Sequence, residues 1–281
     1  MSQTGITGLL LIALTCLLSY RGFKDPSFLE RYSFQVGKVL VNKDYKRLIT
    51  SGFLHVGWTH LLLNMFTLLF FSGNIENALG LVKFFIVYFA GLVGGNLLSL
   101  LVHRHHGDYS AVGASGAISG IIFASIALFP GMSIGFFLIP VAIPAWIYGL
   151  LFIIYSIYGI RSGKDNIGHD AHLGGALLGM FTAVLLESSA FAENYRVILL
   201  ITIPTVIFIW LIISHPGFLL VDNYFFNTHK DFYSIDHKYN AEKKIKQAEI
   251  DRILDKINKK GVQSLSSKEK QALQKYARDR Q

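Results

Sequence analysis

The chain has 281 residues, 52% of them hydrophobic and only 16% charged, against about 25% charged in soluble domains. With a mean hydropathy of +0.44, this balance excludes an ordinary soluble domain and points to a polytopic membrane protein. The formal charge of +8 gathers after the first apolar run and beyond residue 225, where basic residues meet lipid headgroups and no nucleic acid is expected, and the single Cys16 rules out an intrachain disulfide framework.

A membrane span needs roughly 20 apolar residues. Seven stretches approach that length once flanks are included: Gly5–Tyr20, Val56–Ser72, Phe84–Val102, Ser115–Phe129, Ala145–Ile160, His172–Leu186 and Val197–Ser214. The first has neither a basic leading segment nor a small-residue cleavage site, so it is expected to stay as a helix. Pro130 and Gly131 stop the fourth stretch, and Pro140 and Pro144 mark an extended apolar connection to the fifth. Pro204 interrupts the seventh and leaves open whether it crosses. No repeat of fixed period is present. The expectation is an all-α polytopic membrane protein: a core over 1–190, an extra span within 191–217, and a basic tail over 218–281.

The tail changes character. Ile250, Ile253, Leu254 and Ile257 are spaced for one helical face, Gly261 is a natural stop, and Ser266 with Glu269 has capping-box spacing. Two short amphipathic helices are expected there, with nothing suggesting catalysis.

Polar groups at membrane depth are costly, and ionisable ones point to function. In WTHLLLNMF, His60 and Asn64 are four apart and share a helix face. In VGASGAISG, Ser115 opens the fourth span, and in GHDAHLGGALLG, His172 opens the sixth. Singly, each has a plain structural explanation: a backbone-bonded serine, an interfacial histidine, an interhelical polar pair. The glycines link them. Gly116 with Gly120, and Gly175 with Gly179, form two G-x-x-x-G faces on which helix backbones can approach closely. Packing those faces together carries Ser115 toward His172, and a hydroxyl within reach of an imidazole is the minimum for an activated nucleophile. His60, Asn64 and the Ser115 amide, at a helix N-terminus, are suitable donors to a developing oxyanion.

At HLLLN, GASG (Gly113–Gly116) and AHLGG, occurring in that order on separate apolar spans, the chain resembles the rhomboid family of intramembrane serine proteases over roughly residues 5–190. The run YKRLITSGFLH, with Arg47 at the place of a common family arginine, and GNIENALG, with Glu76, are similar to the family pattern too. The resemblance implies a six-helix core, a membrane-associated first loop and an aqueous cavity opening to the extracytoplasmic side of the cell membrane. It implies Ser115 as nucleophile, His172 as general base, and His60, Asn64 and the Ser115 amide as oxyanion hole. The substrates would be transmembrane proteins within the lipid bilayer, and no metal or cofactor is implied. Oligomeric state and substrate identity are not legible.

Three features depart from or surround that pattern. The place where some members have a tyrosine packing on the base is Ser119. Asp170 lies two residues from His172, the wrong spacing to face it on a helix, and a gate-loop role is expected for it, with His169 another loop residue. The cluster HRHH at 103–106 lacks regular ligand spacing and reads as an interfacial anchor rather than a metal site. Orientation is in conflict: Arg21, Lys24, Arg31, Lys38, Lys43, Lys46 and Arg47 would draw the first loop to the cytoplasm by charge, whereas the resemblance places it outside, on the side of the site. A non-catalytic relative that binds membrane helices would typically lack the serine or the histidine, and a transporter would call for more charge within the spans.

Overall fold

The structure is a computed structural model describing residues 5–136, 139–162, 167–214, 250–257, 261–266, 269–270, 273 and 276. The start of the expected tail, 215–249, and most of its second helix lie outside the described residues. By internal contacts the chain forms two units, Met1–Asp236 and His237–Gln281.

The first helix, α1 (Ile6–Lys24), is followed by a structured loop rather than a plain connection. Asp25 caps α2 (Pro26–Tyr32), accepting from the amides of Ser27 and Phe28, with Pro26 in the first turn where its missing N–H costs nothing. The loop continues through β1 (Phe34–Gln35), α3 (Val36–Leu40), α4 (Arg47–Thr50) and a 3-10 turn at Ser51–Phe53. Phe34, Val36, Val39 and Tyr109 make a small core of their own beneath it.

Arg47 holds this loop together. It is buried, and its Nε donates to Asp44 Oδ2 at 2.9 Å while Nη1 donates to the carbonyls of Glu30 at 2.9 Å and Ser33 at 2.6 Å. Burial raises the Asp44 carboxyl, but the Arg47 hydrogen bond and the Lys46 charge outweigh it and leave it below the usual carboxylate range. Arg47→Ala takes a charged donor from all three acceptors and is expected to destabilise the fold by about 1.5–3 kcal/mol, the range for a hydrogen bond to a charged group. Arg47→Lys should recover little, since a point charge cannot reproduce the fork. Thermal denaturation of the purified variants in detergent tests this; melting like wild type would remove Arg47 from the loop's support.

Next comes α5 (Trp58–Val102), one element in register but two helices in fact. It breaks at Gly80, whose φ of 78° is open to glycine and strained for other residues. Its two arms cover the second and third expected spans. A short strand, β2 (Ser110–Ala111), pairs antiparallel with β1 through Phe34↔Ala111 and Gln35↔Ser110, tying the loop to the start of α6 (Ser115–Leu128).

Every residue of α6 from Gly116 to Ala127 is buried. It is the central helix, enclosed by the second arm of α5, by α7 (Ala145–Ser162) and by α8 (His169–Leu186). Between α6 and α7 the expected extended connection is a hairpin, β3 (Ser133–Phe136) with β4 (Ile139–Pro144), paired from Ser133↔Pro144 to Gly135↔Ala142 with a register shift before Phe136↔Ile139. Pro144 fits because it closes the strand end, where a missing donor is tolerated.

The next helix, α9 (Ser189–Ser214), runs continuously through Pro204. Thr205 Oγ1 donates to the Ile201 carbonyl at 2.7 Å beside the proline, the kind of side-chain compensation that keeps proline in apolar helices. By length and composition Ile6–Lys24, Trp58–Val102 and Ser189–Ser214 are able to cross a membrane, and Ser115–Leu128 and Ala145–Ile160 are shorter apolar helices. Leu62, Leu63, Phe70, Ile86, Leu185, Ile203 and Trp210 face outward. Such a surface suits lipid and not water. The chain is an all-α multi-pass membrane protein.

In the second unit a helix over 250–257 buries Ile250 and Ile253 against Leu265, while Leu254, expected on that face, is exposed. The Gly261 amide donates to the Ile257 carbonyl at 2.8 Å. Ser266 and Glu269 cap each other reciprocally: Ser266 N donates to Glu269 Oε2 at 2.7 Å and Glu269 N to Ser266 Oγ at 3.3 Å.

Candidate active site

Ser115 is the first residue of the central helix and is half-buried. The turn before it is made by Gly113, with φ of 136°, whose amide donates to the Ser51 carbonyl at 3.0 Å and so anchors the helix start to the first loop. No Cβ fits there comfortably. It would lie 3.0 Å from His60 Nε2 and 3.8 Å from Ser115 Oγ, so the Nε2 edge of His60 and the Ser115 hydroxyl border the same small space.

The two glycine faces meet as their spacing predicts. A Cβ at Gly175 would overlap the Gly116 carbonyl, and one at Gly179 would overlap Gly120 Cα. One at Gly116 would lie 3.3 Å from the Ala171 carbonyl. The first turns of α6 and α8 are therefore in backbone contact. Ser115 sits one residue before Gly116, and His172 one residue after Ala171, so the pair flanks that contact.

A third helix shares the seam. On α5, a Cβ at Gly95 would lie 2.6 Å from the Ala171 carbonyl and one at Gly91 would lie 3.1 Å from Gly120 Cα. Gly91 and Gly95 have the same four-residue spacing as the other pairs.

Asn64 is buried one turn after His60, and its Nδ2 donates to the His60 carbonyl at 2.9 Å. The amide nitrogen carries two hydrogens, so one remains for a ligand.

The His172 ring packs on Phe152 of α7, with centroids 5.8 Å apart, and on His169 at 5.9 Å. Phe152 rests on Phe123 of α6 at 5.3 Å, and His169 on Tyr155 of α7 at 5.0 Å. Gly159 leaves room for the His169 ring, which a Cβ there would overlap. Support for His172 thus comes from α7 and its own helix, and Ser119 is buried in α6.

Two expectations are corrected. Asp170 is in no gate loop: it is buried in the first turn of α8, its Oδ2 3.4 Å from His103 Nε2. His169 likewise begins the helix and is buried. The His103 ring stacks on Tyr109 with centroids 3.7 Å apart while it meets Asp170. These partners lie 67 residues apart in the chain, so no local spacing reveals them. Among the described residues no group of three or more His, Cys, Asp or Glu is arranged to hold a metal ion.

Comparison with known proteins places these motifs. The rhomboid domain profile matches residues 42–189, and a family of unknown function, DUF6576, matches residues 233–279. Over 160 residues the chain is 32% identical to RHOMBOID-like protein 12, mitochondrial, of Arabidopsis thaliana, covering 51% of this chain and 47% of the relative. It is 31% identical over 176 residues to Rhomboid protein 1, mitochondrial, of Saccharomyces cerevisiae, covering 60% and 49%. It is 30% identical over 152 residues to RHOMBOID-like protein 4 of Arabidopsis thaliana, covering 54% and 36%. The chain spans about half the length, or less, of the curated relatives it matches.

Proposed function

The chain belongs to the rhomboid family, and from that membership we propose that it is an intramembrane serine endopeptidase cutting membrane proteins in or beside their transmembrane segments. The observation that carries this is the backbone contact between the first turns of α6 and α8, which Ser115 and His172 flank. α1, the two arms of α5, α6, α7 and α8 would be the six-helix core, and α9 a seventh span.

In the proposed reaction Ser115 Oγ attacks the scissile carbonyl carbon as its proton passes to His172. The carbonyl oxygen becomes an oxyanion held by His60, Asn64 and the Ser115 amide at the N-terminus of α6. His172 then returns the proton to the leaving amine, and the peptide's N-terminal part stays esterified to Ser115. Water, deprotonated by His172, releases it. The aromatic support around His172 takes the place of an orienting carboxylate, and Asp170 is occupied with His103. The site would open on the side of the first loop, extracytoplasmic in a cell membrane. Two of the relatives are named mitochondrial, and fluorescence localisation decides which membrane this chain occupies.

The test is reconstitution in liposomes with a panel of single-span transmembrane peptides and mass-spectrometric mapping of products. Cleavage at one position in or near the span supports the proposal, and intact peptides across the panel contradict it. Asn64→Ala should lower kcat roughly tenfold with KM little changed, less than the about 10²–10³ for losing an oxyanion donor in a soluble protease, because His60 and the amide remain. An unchanged kcat would remove Asn64 from the site.

A further inference from the structure

Behind His60 lies a second buried histidine that no step above uses. His55, in the segment between the 3-10 turn and α5, is fully buried. Its Nδ1 is 2.9 Å from the hydroxyl of Ser19 on α1, itself fully buried and 3.0 Å from the Phe53 carbonyl. On the other side the His55 and His60 rings meet edge to face, centroids 4.7 Å apart and planes at 72°. One buried nitrogen of each ring has no hydrogen-bond partner: His55 Nε2 and His60 Nδ1.

Buried polar atoms without partners call for an explanation, and hydrogen counting supplies one. A neutral imidazole carries one N–H, and the nitrogen that holds it is set by what the other nitrogen accepts. His60 can donate toward Ser115 only if the hydrogen is on Nε2, which leaves Nδ1 a bare acceptor. We infer that Ser19 and His55 are positioning residues for His60, forming a relay in which each hydrogen points toward the site. Ser19 O–H donates to His55 Nδ1, His55 Nε2–H donates to His60 Nδ1, and His60 Nε2–H faces the oxyanion.

The Ser19 hydroxyl has one hydrogen and two acceptors in reach. In the resting enzyme it serves the Phe53 carbonyl. In the relay it serves His55, and the carbonyl gives up one bond, the less costly of a peptide group's two kinds of loss. All three groups remain neutral, so no charge is buried without a partner. Burial, with His60 alongside, pulls His55 down to about 3, which keeps it uncharged at working pH. The relay rests on the protease assignment, because it serves the oxyanion formed at Ser115.

The test is a double-mutant cycle on cleavage of a transmembrane peptide by the full-length protein in liposomes. Wild-type cleavage that is lost in Ser115→Ala establishes the protease first; without it, the assignment fails before the relay is tested. His55→Leu is then expected to lower kcat about ten- to a hundredfold, the range for losing an orienting partner of a functional histidine, with KM unchanged. Ser19→Ala should lower it by less in the same direction. His55→Gln, which keeps an N–H donor near the Nε2 position, should recover part of the loss. In a His60→Ala background, His55→Leu should cost nothing further. A merely structural His55 would give the same fold-loss in both backgrounds, and that additivity overturns the relay. Should His55→Leu fail to fold, Ser19→Ala in the same cycle decides alone: its loss disappears without His60, or the relay is wrong.

Discussion

Ser115→Ala and His172→Ala each bring peptide-bond cleavage by the reconstituted protein to background while leaving its melting temperature within a few degrees of wild type. Removing the nucleophile or the base of a soluble serine protease costs on the order of 10⁶ in kcat, and the two losses should not add because they belong to one proton-transfer unit. The fold should survive. Ser115 occupies the first position of α6, before the fully buried stretch from Gly116 to Ala127, and His172 is only partly buried. Alanine at either place therefore opens no sealed cavity. Site-specific product formation by either purified variant, at more than a thousandth of the wild-type rate, would remove that residue from the chemistry.

Gly179→Ala is expected to be a severely damaging one-methyl change. The added Cβ would overlap Gly120 Cα, and its other close neighbours, the Gly120 carbonyl carbon and oxygen at 2.7 and 2.8 Å, are backbone as well. No side chain can rotate away, so α6 and α8 must separate. Overpacking typically costs about 1–3 kcal/mol, and a shift of about 1 Å near reacting atoms can cost about 10² in rate. Gly175→Ala, against the Gly116 carbonyl and nearer His172, should lose more activity for a similar loss of stability. Gly131→Ala, where a Cβ meets nothing within 4 Å, is the silent control. Thermal shift and cleavage rate measured together separate these effects. If Gly179→Ala melts and cleaves like Gly131→Ala, the seam does not hold the site.

The glycine faces of α6 and α8 were legible because a repeated four-residue spacing survives folding: residues one turn apart on a helix stay on one face. The third face, Gly91 and Gly95, has that spacing too, but it lies in an apolar run where glycine draws no notice. Pairings across distance were hidden. Nothing near His103 or Asp170 announces the other, and the Ser19–His55 contact joins residues 36 apart on separate elements. Support for His172 from α7 was hidden as well, because Phe152, which packs on its ring, is an ordinary apolar residue in sequence. Proline marks were incomplete: Pro140 and Pro144 indicated an extended connection but not its pairing as a hairpin, and Pro204 left open whether its helix runs on, which it does beside Thr205. Leu254 shows the limit of face counting: Ile250 and Ile253 are buried and it is not.

Reaction of the purified protein with a fluorescent fluorophosphonate, in detergent and in liposomes, tests the activated serine most directly, because it needs no knowledge of the substrate. The account predicts labelling of wild type, mapped by mass spectrometry to Ser115, and none in Ser115→Ala or His172→Ala. Folded wild type that stays unlabelled in both settings would contradict it and would make the chain a binder of membrane helices built on a protease scaffold.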